Sequence, residues 1–433
     1  MERVYSKDIR PDKKVLVMGW VEKIRDLGGL KFFLLRDRTG SVQVTLKKGN
    51  VSDSLIKTTG KLSREDCVSV TGAVKESNQA PGGMEIVPEK IEIVSKAKPL
   101  PIEIGEKIET NLDKRLDWRS LDLRNPKNMA IFKIQSALVI GMQDYLIKEG
   151  FLQVFTPCMM GSPSESGADV FPVFYYNSEV YLRQDPQLHR QLLIAAGFDK
   201  IFDLGPSWRA EPSHTTRHLS EHRGMAPEMA FIKDEYDIIK LEEGLIVAAL
   251  KNIVKTCKNE LELLEKKIQI PKTPFPVLRF PEIYNILEKL GKKIPFGEDY
   301  DRESELLLGQ YVKEKYKSDF FFVNRFPFAA KPFYVMRVDD DPQWARSIDL
   351  IYKGVEQSSG GQREHRYEKI MEQAKLKKMN LAHLEWFTKF FQFGVAPHGG
   401  FCLGIERFTQ QLLDLKNIRE AVLFPRTPER YLP

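Results

Sequence analysis

Four short segments concentrate the side chains that could do chemistry. Residues 208–221, WRAEPSHTTRHLSE, pack Arg209, Glu211, His214, Arg217, His218 and Glu221 into fourteen positions. Apolar stretches at 200–204 (KIFDL) and 229–232 (MAFI) flank them, which predicts two antiparallel strands joined by a polar loop. Arginines at the two sides of such a loop can fork onto phosphate oxygens; a solvated loop laced with ion pairs is the plain alternative. Residues 354–365, GVEQSSGGQREH, put Glu356 three positions before Ser359, with Arg363 following two glycines. A converging carboxylate and hydroxyl can hold Mg²⁺ across phosphates; otherwise the stretch is a Gly/Ser turn. Residues 399–407, GGFCLGIER, let backbone approach a flat ligand and open a helix with Arg407. Residues 184–191, QDPQLHRQ, set Gln187 and Arg190 on one helical turn, where an ordinary surface helix start is the alternative.

What is missing narrows the chemistry. The chain has no G-x-x-x-x-G-K-[ST] loop and no G-x-G-x-x-G at a strand–helix junction. A nucleotide would therefore be held by arginines. Cys67, Cys158, Cys257 and Cys402 lie far apart, with no C-x-x-C and no H-E-x-x-H. That argues against a disulfide framework and a zinc site, and fits a reducing cytoplasm.

The 433 residues, 42% hydrophobic and 29% charged, read as a soluble globular protein of two or three domains. No apolar run approaches the roughly 18 residues of a membrane span, and MERVYSKDIRPDKK does not read as a secretory signal. The net charge of +6 is unevenly spread: residues 1–100 hold 19 Lys and Arg against 13 Asp and Glu, and the rest sums to zero. A basic module joined to a neutral one suggests that the first part meets a polyanion; a solvated basic surface is the alternative.

The elements that must position these groups follow from periodicity. Residues 15–21, 31–35, 42–46, 68–74, 84–87 and 91–94 predict short strands, punctuated by Gly28-Gly29, Thr39-Gly40 and Pro81-Gly82-Gly83. About five short strands fit a small closed barrel such as an OB-fold; an SH3-like barrel would look similar. Residues 1–100 are assigned to this barrel, 101–130 to a hinge and 131–433 to a second domain. Asn125-Pro126 predicts a capped helix start, with Gly150 as its stop. Residues 151–157, FLQVFTP, alternate as a strand. The later strands and helices lack a regular β-α beat, so an antiparallel sheet with packed helices, an α+β fold, is expected. Residues 258–320 are Lys/Glu-rich and predict a helical, inserted or peripheral subdomain.

In this order the segments resemble the three signature motifs of class II aminoacyl-tRNA synthetases, over nearly the whole chain, and among them the archaeal-type aspartyl branch. FLQVFTP is similar to the first motif, WRAE…TTRHLSE to the second and GGFCLGIERF to the third; the tail NIREAVLFPR resembles the family's C-terminus. The resemblance implies an OB-fold that reads an anticodon, followed by a catalytic antiparallel sheet ringed by helices. It implies ATP and L-aspartate as substrates, Mg²⁺ as cofactor, tRNA(Asp) as partner with tRNA(Asn) as a second candidate, and a homodimer with Pro157 at the interface.

Carried over by residue, Arg209 and Arg407 would clamp the α- and γ-phosphates. Ala210, Glu211, Arg217, His218 and Leu219, and Gly404, Ile405 and Glu406, would complete the ATP pocket. Glu356 and Ser359 would hold Mg²⁺. Glu165, Gln187, Arg190, Arg209, Ser359 and Arg363 would bind aspartate, with Arg190 and Arg363 facing its side-chain carboxylate. Phe32, Gln43, Arg25 and Pro81 would contact tRNA. Departures cluster near the amino acid: Asp185 and Arg190 replace the usual serine and lysine, Ala226 an aspartate and Gln357 an isoleucine. Pro81-Gly82-Gly83 looks more like members that charge both tRNAs than like strict ones, whereas Glu22 matches neither. Two other readings stay open: an asparagine-using or amide-forming relative, and a non-catalytic RNA-binding protein.

Overall fold

Alternation of apolar and polar residues shapes the first hundred residues, as the strand pattern predicts. In this computed structural model, which describes residues 1–105, 110–161, 170–210, 212 and 215–432, one compact unit spans Met1–Glu103 and another Ile104–Pro433. In the first unit, β1 (Lys14–Asp26), β2 (Leu30–Asp37), β3 (Gly40–Lys47), β4 (Cys67–Glu76) and β5 (Met84–Ser95) close into a barrel in the order β1-β2-β3-β5-β4. Only β3 and β5 pair in parallel. Every second residue points inward, so Val15, Val17, Phe33, Leu35, Val42, Val44, Val68 and Val70 form the core. The stretch expected as 84–87 and then 91–94 is one continuous strand. Its register shifts opposite Thr71 and Gly72, so Pro88 bends the strand at a bulge instead of ending it. A helix at Asp53–Thr59, capped by Ser52, was not anticipated.

In the second unit the Pro126–Lys148 helix starts where the cap predicts, with Asn125 accepting the Lys127 N–H at 2.9 Å. The stretch before it, assigned to a hinge, carries secondary structure of its own. A helix covers Leu112–Asp117, and the buried Arg119 donates to the Val422 and Leu423 carbonyls at 2.7 and 2.9 Å.

After β6 (Leu152–Val154) come β7 (Met159–Met160), β8 (Pro172–Tyr175) and β9 (Ser178–Leu182), which make a small separate sheet. The main sheet adds β10 (Lys200–Trp208), β11 (Glu221–Ala230), β12 (Val277–Arg279), β13 (Phe320–Asn324), β14 (Ser347–Tyr352), β15 (Val355–Arg363) and β16 (His398–Gly404). Its order is β12-β13-β14-β15-β16-β11-β10-β6. All pairs are antiparallel except the two outermost, β12–β13 and β10–β6. Of FLQVFTP only three residues enter the sheet. The 258–320 region is not merely peripheral: β12 is an edge strand, and Ile283, Leu287, Leu308 and Val312 pack with Phe321 and Val323 of β13. The Pro126–Lys148 and Glu235–Thr256 helices bury the opposite core with Phe202, Met225, Leu350 and Leu403. Among the described residues no helix is long and apolar enough to cross a membrane.

Candidate active site

The face of the central strands left open by the helices carries a cavity of about 670 Å³. All four chemically suggestive segments reach it. Gln187 comes from the Gln187–Ala195 helix, Arg209 from the end of β10, Glu356, Ser359 and Arg363 from β15, and Arg407 from the first turn of the Ile405–Leu412 helix. The predicted hairpin is in register from Lys200↔Met229 to Trp208↔Glu221, which sets Arg209 at its mouth. The loop is tied to the C-terminal tail: Ser220 donates its N–H to Arg426 O at 2.9 Å and Ile418 to Thr216 O at 2.8 Å. Arg217, His218, Leu219, Gly404 and Glu406 also line the cavity, whereas Ala210, Ile405 and Arg190 do not. Glu165, Glu211 and His214 lie outside the described residues.

One end of the cavity is cationic. Arg407 Nη1 stands 3.7 Å from Glu356 Oε1 and donates to the Glu356 carbonyl at 3.3 Å. Burial, then the charges of Arg302 and Arg407, push the Arg217 guanidinium below its ordinary range. His222 is pushed down to about 4 by burial and then by Arg209 and Arg407, so it is neutral. Guanidiniums that repel one another across a cavity are relieved by a polyanion, and three phosphates supply one.

Beside them lies an acidic pair that sequence reading half found. Asp349 of β14 pairs in register with Ser359 and accepts a hydrogen bond from it. Burial pushes the Asp349 carboxyl up to about 7, with Lys331 opposing and Glu356 adding to the rise. Lys331 Nζ lies 3.0 and 3.2 Å from its two oxygens. No group of three or more His, Cys, Asp or Glu among the described residues could hold a metal alone. A divalent ion here would take oxygens from Asp349, Glu356 and Ser359 and the rest from phosphate and water, which is how Mg²⁺ binds. Asp349 was missed because SIDLIY reads as a buried strand; an acid inside an apolar run was the available signal.

The other end centres on Glu228, also missed, inside the apolar MAPEMAF stretch. Its side chain is 0% exposed. It accepts Arg363 Nε at 3.0 Å, Arg363 Nη2 at 3.3 Å and Gln187 Nε2 at 3.1 Å. Burial alone would raise its carboxyl; the charge and hydrogen bond of Arg363, then Arg190, hold it below the ordinary value. Arg363 Nη2 also donates to Gln187 Oε1 at 2.9 Å and to Gly400 O at 3.0 Å. A side chain on Gly400 would collide with the Pro227 carbonyl and with Glu228, so this glycine serves the carboxylate beneath it. Arg190 sits under the cavity floor instead of in the wall. Its Nη2 donates to Asp185 Oδ1 at 2.8 Å and Gln187 Oε1 at 2.7 Å, and Asp185 takes the lining position. Of the two guanidiniums expected to face one ligand carboxylate, Arg363 lines the cavity and Arg190 does not.

On the barrel, Phe33 and not Phe32 fills the core; Phe32 is half-buried, with the Arg25 guanidinium 5.9 Å from its ring centroid. Gln43 is buried and commits its amide N–H groups to Thr45 and Glu85, each at 3.1 Å. Pro81 begins an exposed turn, and Pro157 is exposed next to β6.

Such a barrel followed by an antiparallel sheet with an arginine-lined cavity defines a class. The family of class II tRNA synthetases (D, K and N) matches residues 111–428, and the OB-fold nucleic acid binding domain matches 15–94. The chain belongs to the class II tRNA synthetases of that group. Among its relatives, the aspartate–tRNA(Asp) ligase of Pyrococcus horikoshii is 45% identical over 433 residues, 99% of each chain. The aspartate–tRNA(Asp/Asn) ligase of Archaeoglobus fulgidus is 41% identical over the whole of both. The asparaginyl-tRNA synthetase of Pyrococcus horikoshii, solved with asparaginyl-adenylate, superposes with a TM-score of 0.93 at 33% identity over 100% of each chain. The aspartyl-tRNA synthetase of Entamoeba histolytica does so at 0.87, with 32% identity, over 98% of this chain and 90% of that one.

Proposed function

We propose that this chain is an aspartate–tRNA ligase, which activates L-aspartate with ATP and transfers it to the 3′ end of tRNA(Asp). The observation that carries the choice of amino acid is Arg363. It is a guanidinium in the cavity wall, anchored on Glu228 and Gln187, at the opposite end from Arg209 and Arg407. Full-length relatives named as aspartate ligases support it.

The aspartate α-carboxylate attacks the α-phosphorus in line, a mixed anhydride forms and pyrophosphate leaves. The terminal ribose hydroxyl of tRNA then attacks the anhydride carbonyl, the ester forms and AMP departs. No protein nucleophile is needed; Arg209 neutralises charge developing at the α-phosphate and Arg407 orients the γ-phosphate. Asp349, Glu356 and Ser359 would hold Mg²⁺, which when bound screens the phosphate charge. Gln187 and Arg363 orient the amino acid.

The barrel takes the anticodon, with Phe32 as stacking platform and Arg25, Gln43 and Pro81 beside it. Leu152 in the edge strand β6 and Phe155 just after it, 54% and 85% exposed, support a homodimer seated around Pro157. The four unpaired cysteines suit the cytoplasm. A second reading, that tRNA(Asn) is charged too, is favoured by the exposed Pro81-Gly82-Gly83 turn.

ATP–pyrophosphate exchange with aspartate and asparagine in parallel is the test. Aspartate is expected to exchange and asparagine to be at least about 100-fold slower, because an amide cannot answer the guanidinium charge of Arg363 as a carboxylate does. Exchange with asparagine alone refutes the proposal, and exchange with neither favours a non-catalytic protein. Charging purified tRNA(Asp) and tRNA(Asn) separates the two tRNA readings.

A further inference from the structure

Among the described residues lining the cavity, three are acids: Asp185, Glu356 and Glu406. Glu406 is 3% exposed and accepts the Arg223 backbone N–H at 3.0 Å. Glu356 stands with Arg407 at the phosphate end. Glu228 lies beneath the floor, held by Arg363 and Gln187. Asp185 is the acid that faces the amino-acid end, and the chemistry above gives it no task.

Its setting is built. The Arg190 guanidinium that holds it at 2.8 Å is only 1% exposed, whereas the Asp185 side chain keeps 16% exposure. Cys402 and His222 each feel the charges of both Asp185 and Arg209, so Asp185 lies within the same neighbourhood as the arginine assigned to the reacting phosphate. Through Arg190 and Gln187, Asp185 is linked to Arg363, so Arg209, Asp185 and Arg363 line one cavity. Aspartate carries the complementary charges: an α-carboxylate, an α-ammonium and a side-chain carboxylate. Asparagine matches the first two groups and fails at the third.

We infer that Asp185 receives the α-ammonium of the amino-acid substrate, with Arg190 fixing the direction of its carboxylate. The inference rests on the activation reading above. A substrate ammonium drawn out of water needs an anion, and a side-chain carboxylate placed against Asp185 would be repelled. This separates discrimination into two parts: Asp185 reads the amino group that every amino acid has, and Arg363 reads the side chain.

The experiment compares aspartate with succinate, which is aspartate without its amino group. In pyrophosphate exchange by the full-length protein, Asp185→Asn should raise the KM for aspartate about 10- to 100-fold, as expected for a lost charge-assisted contact. The inhibition constant of succinate should stay within about twofold or improve, since the repelling charge is gone. The KM for ATP and the preference for aspartate over asparagine should hold. Equal weakening of aspartate and succinate would mean that Asp185 acts only by supporting Arg190 and the floor, and would overturn the inference; so would no change in either. If Asp185→Asn fails to bind ATP and so has not folded, Asp185→Ser carries the same comparison. A wild-type protein that does not exchange with aspartate strikes at the activation reading itself, and is told apart because it needs no variant.

Discussion

Glu228→Gln tests whether the amino-acid end is held together by one buried carboxylate. The side chain is 0% exposed and accepts three hydrogen bonds, at 3.0, 3.1 and 3.3 Å, with Arg190 Nε a further 3.9 Å away. Glutamine keeps the shape but removes the charge facing two guanidiniums. It also turns an NH₂ group toward donors that had an acceptor. Breaking a buried pair from one side costs about 3–5 kcal/mol, so the variant should lose about 3 kcal/mol or more. The assay is urea unfolding, read as a lower midpoint at unchanged slope. In exchange, the KM for aspartate should rise more than about tenfold, because Arg363 loses its anchor, while the KM for ATP stays within about twofold. The pH dependence has a definite sign. The folded carboxyl titrates below its ordinary 4.5, so its stabilisation is full above that value and fades as pH falls through the depressed one. The gap between wild type and variant should hold from neutrality to about pH 5 and close in stronger acid. A loss under about 1 kcal/mol, or equal rises in both KM values, would refute the reasoning.

Other consequences can be measured in the same preparations. Arg407→Ala should abolish most pyrophosphate exchange, by about 100-fold or more, while leaving tRNA affinity nearly intact; equal losses would contradict the division of labour between barrel and sheet. Phe32→Ala should weaken tRNA charging by about 5- to 100-fold through KM with no exchange defect, and a defect in exchange would count against the anticodon role. Glu242, 0% exposed against β15, is pushed up to about 8 by burial, while the Ser358 hydrogen bond opposes and Asp349 adds to the rise. Its raised folded value means stability is lost as pH climbs from its ordinary 4.5 toward 8. Glu242→Gln should therefore match wild type near pH 5 and be the more stable protein near pH 8, measured by thermal unfolding. Equal stability at both would sink that assignment.

The parts of the fold governed by local rules could be read ahead of the structure. Asn125-Pro126 marks a helix start because the cap and the missing N–H act within four residues. The barrel strands follow from a period of two, and the 200–230 hairpin from two apolar runs about a polar loop. The chemistry was readable where it sat in polar, turn-rich segments, as with Arg209, Ser359 and Arg407. It was hidden where a polar residue occupies a strand that otherwise reads as core. Asp349 and Glu228 gain meaning only from neighbours far along the chain: Asp349 from Ser359 across the β14–β15 ladder, Glu228 from Arg363, 135 residues away.

Arg190 shows the converse. One helical turn correctly placed it near Gln187, yet its direction depended on Asp185, whose acceptance of Nη2 turns the guanidinium beneath the floor. A substitution of one cation for another thus changes which residue meets the ligand. Asp185 and Arg190 work as a pair: the acid accepts Nη2, while Arg190 Nε stays 3.9 Å from Glu228. Charge counting along the sequence sees two cations at this end of the site, whereas in the fold Arg363 and Asp185 line the cavity and Arg190 does not. A cation and an anion in one cavity wall suit an amino acid with two carboxylates and one ammonium better than two cations would.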